Sequence, residues 1–338
     1  MASMNVFETD AFSLASLSGM IDRRAYVPQF LNSLGVFTAE PVNQSSVWID
    51  ERDGVIGLIE TSERGTAPEP TRRDLRKARP FQVPRIAKEA TVKAAEIAGL
   101  RAFGSETESD RVMTEYVKRM DKVRNAVELT QEHMRLGALQ GKVLDADGST
   151  VIYNYFTEFG ITEAAAVSFE LDVATTDVLG ICRNLVRSMV RSGKGAVTVG
   201  TTIHAIVGDA FFDALVVHPN VEGYYRQWSA APALQAAAFG GFTFGGITFH
   251  NYRGTDDNST VAVGVDEAKF FPVGAQDVFA HIMAPADEFM PYVGASGQNT
   301  YAMNIVDRDR QAWTRGEVYS YPLFMCKRPE VLRKGTRT

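Results

Sequence analysis

The longest hydrophobic pattern in the chain lies between residues 105 and 140. Apolar or small side chains recur there at alternating three- and four-residue steps, which places them on one stripe of an α-helix. The members of the stripe are Met113, Tyr116, Met120, Val123, Val127, Thr130 and Met134. Ser105 begins a capping-box sequence, and Gly137 and Gly141 are candidate C-terminal stops. The pattern predicts one long amphipathic helix with its charged residues on the opposite face.

At 1.5 Å per residue this helix would be about 50 Å long, which is about the diameter of a compact chain of this size. The helix would therefore cross the whole molecule with its stripe against a core. A coiled-coil dimer is the less favoured alternative, because the pattern covers only about three heptads.

Short alternating patterns flank the helix on its N-terminal side. Two apolar runs, 46–50 and 55–59, stand on either side of an Asp53-Gly54 turn signal and predict a β-hairpin. Residues 62–80 contain several prolines and few large apolar side chains, which predicts an exposed, extended loop. Residues 87–100 are expected to form a short helix.

After the helix, residues 142–145 and 150–155 predict a second hairpin over Asp147-Gly148. From about residue 160 the pattern alternates between short helices and strands. The predicted helices are 176–193, 209–217 and 220–238, and the predicted strands are 196–206, 239–252 and 318–326. Helix 176–193 has an apolar face and an opposite face that carries Arg183, Arg187 and Arg191. Because strands and helices occur on both sides of the long helix, the predicted fold class is α+β with a mixed sheet.

Composition narrows the class of protein. With 338 residues and 45% hydrophobic residues, the chain can bury a substantial core as one large or two moderate domains. Its net charge of −6 does not favour nucleic acid or an anionic membrane as the main partner. No uncharged apolar run reaches the length of a membrane span, so no membrane partner is expected.

The charge is unevenly distributed along the chain. Residues 62–93 contain nine Lys or Arg and four Asp or Glu, a net of +5, which leaves 26 basic and 37 acidic residues, or −11, elsewhere. A solvated mobile loop is one interpretation of this basic segment. A second is an arm that contacts an acidic neighbour. A nucleic-acid arm ranks third, because no aromatic residue is interleaved for base stacking.

The sequence contains no strong catalytic, cofactor or metal motif. The five histidines never take a paired ligand spacing, and Cys182 and Cys326 are far apart. The glycine-rich segment 240–246 matches neither a phosphate loop nor a dinucleotide fingerprint. We therefore predict no catalytic residues, no cofactor and no metal. Taken together, the missing motifs favour a structural or interaction protein over an enzyme.

Several stretches resemble one family, the lambda-type major capsid proteins of tailed bacteriophages, also called the capsid E family. The resemblance covers residues 46 to 332. Its segments are the hairpin and basic loop of 46–90, Gly141–Gly148, Gly208–Leu215 with His218–Val221, Phe242–Ile247, Ala284–Asp287 and Tyr321–Pro329.

This resemblance implies a Hong Kong 97-type capsid fold. The implied divisions are an N-terminal arm (1–45), an extended loop (46–88), a peripheral domain (89–159 and 311–338) with spine helix 105–140, and an axial domain (160–310). The implied function is a major capsid protein that self-assembles into hexamers and pentamers to form an icosahedral head. Alternatives are a non-viral, encapsulin-like compartment shell protein and, less favoured, an unrecognised α+β enzyme.

The resemblance also implies partners and a location. We expect copies of the chain itself, portal, scaffolding or protease proteins, a decoration protein, and non-specific contact with packaged double-stranded DNA. The expected location is the virion capsid, after assembly in the bacterial host cytoplasm. Basic residues of the loop and nearby aromatic residues are the candidate assembly contacts, namely Trp48, Arg64, Arg72, Arg73, Arg76, Lys77, Arg79 and Phe81.

Overall fold

The computed structural model of the chain describes residues 30–52, 76–94, 96, 108–198, 200–227, 241–252, 254 and 261–338. The helices in these residues are α1 (Phe30–Ser33), α2 (Glu108–Leu139), α3 (Tyr155–Phe159), α4 (Val178–Ser192), α5 (Asp209–Val217) and α6 (Pro219–Gln227). The strands up to the long helix and just after it are β1 (Thr38–Pro41), β2 (Ser46–Arg52), β3 (Arg76–Gln82), β4 (Ile86–Lys93), β5 (Lys142–Leu144), β6 (Val151–Asn154) and β7 (Val167–Ser168).

The remaining strands are β8 (Thr202–Val207), β9 (Phe242–Phe244), β10 (Ile247–Asn251), β11 (Glu267–Val273), β12 (Phe279–Met283), β13 (Tyr301–Val306), β14 (Trp313–Ser320), β15 (Pro322–Cys326) and β16 (Arg333–Thr336). Most of the predicted N-terminal arm, residues 1–29, lies outside the described residues, as does the predicted continuation of α6 over residues 228–238. The mixture of helices and sheets confirms the predicted α+β class.

The predicted long helix is confirmed as α2, the spine helix, over Glu108–Leu139. Tyr116, Met120, Val123 and Val127 are buried on its stripe, where they form a core with Val318 and other apolar residues of the adjoining sheet. Gly316 lets β14 come close to this stripe, because a Cβ there would lie 2.6 Å from the Tyr116 hydroxyl oxygen.

The charged side of α2 is not uniformly exposed, contrary to the sequence-based expectation. Glu128, Gln131, Glu132 and Arg135 are all at least 95% buried. In its C-terminal half the helix is therefore covered on more than one side, and its polar side chains need partners within the protein.

The sheet beneath the spine helix corrects a second prediction. Residues 87–93, expected to be helical, belong to β4, which pairs antiparallel with all eight residues of β14. β14 also pairs with β13, which gives the strand order β13-β14-β4. Ala, Lys and Glu favour helices, but intrinsic propensity is a weak determinant, and pairing with a neighbouring strand overrides it here.

The predicted strand 318–326 is two strands in different sheets. β14 ends at Ser320 and β15 begins at Pro322, so the chain changes sheet at Tyr321. β15 pairs with β12, and β1 adds to the other edge of β12 in parallel. The N-terminal segment is thus joined to the C-terminal part of the chain through β12.

A six-stranded sheet has the order β7-β16-β11-β8-β10-β9. Helices α4, α5 and α6 contribute to one core with residues from alternate positions of β8 and β10, which places these helices on one face of the sheet. The expected strand 196–206 begins only at Thr202, and the expected strand 239–252 is a hairpin around Gly245 and Gly246, both with positive φ.

The predicted domain boundaries stay a prediction, but several strands cross them. β12 and β13, from the segment assigned to the axial domain, pair with β15 and β14. β16, from the segment assigned to the peripheral domain, lies between β7 and β11. The second predicted hairpin is found as β5 and β6, which pair beside the C-terminal end of the spine helix.

Two histidines meet on the other face of the six-stranded sheet. His204 on β8 and His250 on β10 are stacked, with 2.9 Å between His204 Nδ1 and His250 Nε2. The ring of Phe30 from α1 packs edge-on against His250 at 5.1 Å. Burial and, secondarily, the charge of His204 lower the pKa of His250 to about 4.

We expect Met120→Asp to prevent folding of the subunit. The substitution would bury an unpaired carboxylate between the spine helix and the sheet, at a cost of several kcal/mol against a total stability of about 5–15 kcal/mol. Circular dichroism and thermal unfolding would measure this. Lys122→Glu, on the exposed side of the same helix, is the control and should change the unfolding free energy by no more than about 0.5 kcal/mol. A Met120→Asp variant that unfolds like the wild type would contradict this packing.

Acidification is expected to destabilise the subunit partly through His250. The unfolded chain takes up a proton near the ordinary pKa of 6.5, whereas the folded chain resists until about pH 4. Stability contributed by the neutral ring is thus lost as the pH falls from about 6.5 towards 4. His250→Gln should lose less unfolding free energy than the wild type between pH 7 and pH 5. Equal losses in the two proteins would show that this histidine does not contribute.

Candidate assembly surfaces

Strands β2 and β3 form a separate two-stranded ribbon. These strands pair antiparallel from Ser46 opposite Gln82 to Arg52 opposite Arg76. The sequence predicted residues 55–59 as the partner of 46–50, and those residues lie outside the described part of the chain. The end of the segment predicted as an exposed loop, residues 76–80, is instead the beginning of β3.

Aromatic packing anchors the base of the ribbon. Phe81 is 1% exposed, and its ring lies 5.4 Å from that of Tyr153 and 6.1 Å from that of Phe159. The Gln82 backbone N–H donates to the Tyr153 hydroxyl oxygen at 2.9 Å, and that hydroxyl donates to the Gln82 carbonyl oxygen at 2.8 Å. The ribbon root is thereby fixed to β6 and α3.

The burial of Phe81 corrects its predicted role. We expected this side chain to add apolar contact on a neighbouring subunit, but it is enclosed by aromatic rings of its own chain. The signal that could have identified this packing is the run of aromatic residues at 153, 155, 156 and 159. Those rings need an apolar partner in the same subunit.

The basic candidates occupy different places. The Arg79 guanidinium lies 5.2 Å from the centre of the Phe159 ring, so it contributes to the ribbon root. Arg76 and Lys77 are in β3, opposite Arg52 and Glu51. The other three candidates, Arg64, Arg72 and Arg73, lie outside the described residues.

Trp48 is a candidate whose side chain is open to contact. It pairs with Pro80 across the ribbon and remains 63% exposed. An exposed tryptophan of this kind costs the isolated subunit little and can bury a large area when another surface covers it.

A second anchor joins the ribbon to the C-terminal strands. Arg85, between β3 and β4, pairs with Glu288 at 2.7 Å, and its guanidinium lies 5.0 Å from the centre of the Tyr319 ring. Tyr321 also donates a hydrogen bond to Glu288. Because the Arg85 side chain is 51% exposed, the ion pair itself contributes little stability, and its main effect is to orient the chain leaving the ribbon.

A buried polar junction, which the sequence did not reveal, holds the N-terminal segment on the spine helix. The Leu31 backbone N–H donates to Glu132 Oε1 at 2.8 Å, and Arg135 lies 3.2 Å from Glu132 Oε2. The Arg135 guanidinium also packs 4.7 Å from the centre of the Phe324 ring on β15. Three distant segments of the chain therefore meet at Glu132 and Arg135.

Electrostatics make this junction sensitive to its partners. Burial raises the pKa of Glu132, and the hydrogen bond from Leu31 and the charge of Arg135 offset that effect only in part. Beside it, Gln131 Nε2 donates to Ser320 Oγ at 2.9 Å and to Asn299 Oδ1 at 3.1 Å. Removing one partner would leave a buried polar group unsatisfied, which costs about 1–3 kcal/mol.

Other kinds of site find little support among the residues that the structure describes. That part of the chain contains no cluster of three or more metal-ligating side chains. Within it, too, no helix is both long enough and apolar enough to cross a membrane. Cys182 and Cys326 are buried, and burial raises the pKa of both thiols.

Comparison with known proteins gives a consistent picture. A family model described as phage major capsid protein E matches residues 13–337. The major capsid protein of Salmonella phage Felix O1 is 26% identical over 364 aligned residues, covering 96% of this chain and 96% of that protein. The major capsid protein of Pseudomonas phage KPP10 is 29% identical over 293 residues, covering 81% of this chain and 82% of that protein.

Among solved structures, the asymmetric unit of the bacteriophage PhiM1 mature capsid superposes with a TM-score of 0.52 at 10% sequence identity. The match covers 94% of this chain and 89% of that one. At this identity the likeness concerns the fold alone, and it confirms the expected Hong Kong 97-type architecture.

Two aromatic substitutions separate folding from assembly. Phe81→Ala should destabilise the isolated subunit by about 3–5 kcal/mol, because it empties the ribbon root. Trp48→Ala should change subunit stability by no more than about 0.5 kcal/mol but weaken association between subunits. Denaturant unfolding measures the first effect and sedimentation of assembled particles the second. If Trp48→Ala assembled as well as the wild type, Trp48 would not be a contact.

Proposed function

This chain belongs to the phage major capsid protein E family, and we propose that it forms the icosahedral head of a tailed double-stranded DNA phage through hexamers and pentamers. The family match over nearly the whole chain carries this conclusion. The chain is thus a phage major capsid protein, a structural component of the virion that self-assembles into shell oligomers. No catalytic role is proposed.

The subunit combines a fixed frame with extended elements that can contact neighbouring subunits, which supports a shell-forming function. The spine helix packs on the β13-β14-β4 sheet, and the buried junction at Glu132 fixes the N-terminal segment to it. The ribbon is anchored at its root, with Trp48 exposed beyond that anchor. In a closed shell the same subunit meets neighbours at different angles, so a fixed frame with extended contact elements is a suitable design.

We propose that the ribbon and the basic residues between and within its two strands lie on a neighbouring subunit. Residues 62–93 have a net charge of +5 against −11 for the rest of the chain, so the segment is attracted to an acidic copy of the same protein. Exposed ion pairs are worth about 0–1 kcal/mol each. Contacts of this strength can set the register of two subunits and still break when a subunit has docked incorrectly.

The remaining partners follow from a capsid role. A portal, scaffolding or protease proteins and a decoration protein are the expected protein partners, and packaged double-stranded DNA would make non-specific contact. Assembly is expected in the host cytoplasm. The arm, extended loop, peripheral domain and axial domain, with the boundaries predicted from the sequence, form part of this proposal.

Electron microscopy of the purified full chain tests the proposal. Uniform shells or rings of five and six subunits are expected, and a strictly monomeric protein at high concentration would contradict a shell-forming function. Shells that carry a cargo enzyme in place of DNA when isolated from the native host would point to a compartment protein instead.

Reversal of charge in the basic segment tests the proposed neighbour contact. We expect R72E/R73E/R76E to fold normally, with an unfolding free energy within about 0.5 kcal/mol of the wild type, but to form no shells. R72K/R73K/R76K is the matched control: it preserves the positive charge and should still assemble. Normal shells from the glutamate variant would exclude the assigned role of these arginines.

A further inference from the structure

Helix α4 carries a row of basic side chains on its outer face. Val178, Cys182, Leu185 and Met189 are buried against the six-stranded sheet. Arg183, Arg187 and Arg191 are all exposed. Their four-residue spacing places them on one stripe, opposite the buried face and about 12 Å long. We call these three residues the basic stripe.

The basic stripe has no paired counter-charge among the residues that the structure describes. None of its three side chains forms an ion pair or hydrogen bond in the described part of the chain. Arg333, by contrast, donates to Ser188 and Ser192 on the side of the same helix. Three arginines in a row, unpaired in a chain of net charge −6, leave a surface that an anionic partner would neutralise.

An acidic surface lies on the same layer of helices. Segment 169–173 runs beside α5: the Phe169 ring lies 5.2 Å from that of Phe211, and His218 Nε2 lies 3.1 Å from the Val173 carbonyl oxygen. Glu170, Asp172 and Asp213 are exposed. We call these three residues the acidic patch.

The acidic patch is likewise without ion-pair partners in the described segments of the chain. Phe169 and Leu171 are buried, whereas Glu170 and Asp172 are exposed. Asp213 lies on α5 between the buried Phe212 and Leu215 but is itself exposed. Across the described residues, none of the three carboxylates forms a side-chain ion pair.

The arrangement of helices keeps the two surfaces apart in one molecule. Helix α6 packs against both α4 and α5, and Asn220 Oδ1 at its start accepts a hydrogen bond from the Leu179 backbone N–H. The basic stripe and the acidic patch therefore belong to different parts of one helical layer. Each is available to the opposite surface of another molecule.

We propose that the basic stripe of one subunit contacts the acidic patch of a second copy of this chain. This inference deepens the proposed capsid function and rests on it. Each subunit has one surface of each sign, so the contact can repeat from subunit to subunit and close into a ring. Exposed apolar side chains accompany both surfaces, Val190 beside the stripe and Val173 within the patch segment, and would be covered in the same contact.

The charge pattern favours a protein partner over DNA. Phosphate groups would be attracted to the basic stripe but repelled by Glu170, Asp172 and Asp213 on the same helical layer. A second copy of the chain satisfies both surfaces at once. Since long-range attraction between exposed charges is screened by salt, the contact should weaken as ionic strength rises.

A charge-exchange experiment with the full chain tests the proposal. The first variant, R183E/R187E/R191E, makes both surfaces acidic, and the second, E170K/D172K/D213K, makes both basic. Each should fold, as judged by circular dichroism and thermal unfolding, yet associate on the order of 100-fold more weakly than the wild type, because like charges then face each other. Sedimentation and electron microscopy would measure association and shells.

Two further samples provide the decisive control. The sixfold variant that combines both sets has the net charge of the wild type and exchanges the two surfaces, so it should assemble by itself. An equimolar mixture of the two threefold variants should also assemble, because each then supplies the surface that the other lacks. Recovery in either sample supports the pairing, since a general effect of charge or a local folding defect would not be rescued.

Three results would overturn the inference. The first is normal assembly of R183E/R187E/R191E under conditions in which the wild type forms shells. This result would exclude the proposed contact and leave the proposed capsid function standing. The second is loss of assembly in both threefold variants without recovery in the sixfold variant or in the mixture. The third is binding of short double-stranded DNA that R183E/R187E/R191E abolishes while leaving shells intact, which would assign the stripe to DNA. If the wild type formed no shells, the proposed function would fail and this inference with it.

Discussion

Burial of the C-terminal half of the spine helix is the constraint on which the rest of the subunit depends. A helix with apolar residues on one stripe needs only one partner sheet, but here Glu128, Gln131, Glu132 and Arg135 are buried as well. Buried polar groups must be satisfied inside the protein, so the helix requires partners from distant segments. The Leu31 backbone N–H donates to Glu132, and Ser320 and Asn299 accept hydrogen bonds from Gln131. The Phe324 ring packs against the Arg135 guanidinium.

This network explains how a fixed frame and extended contact elements coexist in one chain. The N-terminal segment is held by Glu132 and by the pairing of β1 with β12. The change of sheet at Tyr321 places β14 and β15 in two different sheets, both of which contact the spine helix. The ribbon root is fixed separately, by Phe81 and Tyr153. Trp48 is exposed next to that root, so it can contact a neighbour without disturbing the frame.

The sequence predicted those elements whose pattern is local. The spine helix and α4 were found because their apolar residues repeat at helical spacing over many turns, and the hairpin of β5 and β6 because Asp147-Gly148 marks its turn. Where partners distant in the chain decide the structure, prediction failed: residues 87–93 are a strand because they meet β14, and the continuous apolar run 318–326 gives no sign of its division at Tyr321.

Among candidate contacts, exposure of Trp48 fits its predicted role, whereas Phe81 is buried by aromatic residues 70 positions away or more. The buried charges of α2 could not be recognised, because charged residues on a helix normally face solvent.

The most direct test of this account is a cryo-electron microscopy reconstruction of particles assembled from the wild-type chain. The account predicts a closed shell in which the spine helix, its sheet and the Glu132 junction are as described, and in which the ribbon of each subunit lies on a neighbour with Trp48 covered. A shell whose ribbons make no contact with neighbouring subunits, or a preparation that contains monomers alone, would contradict it.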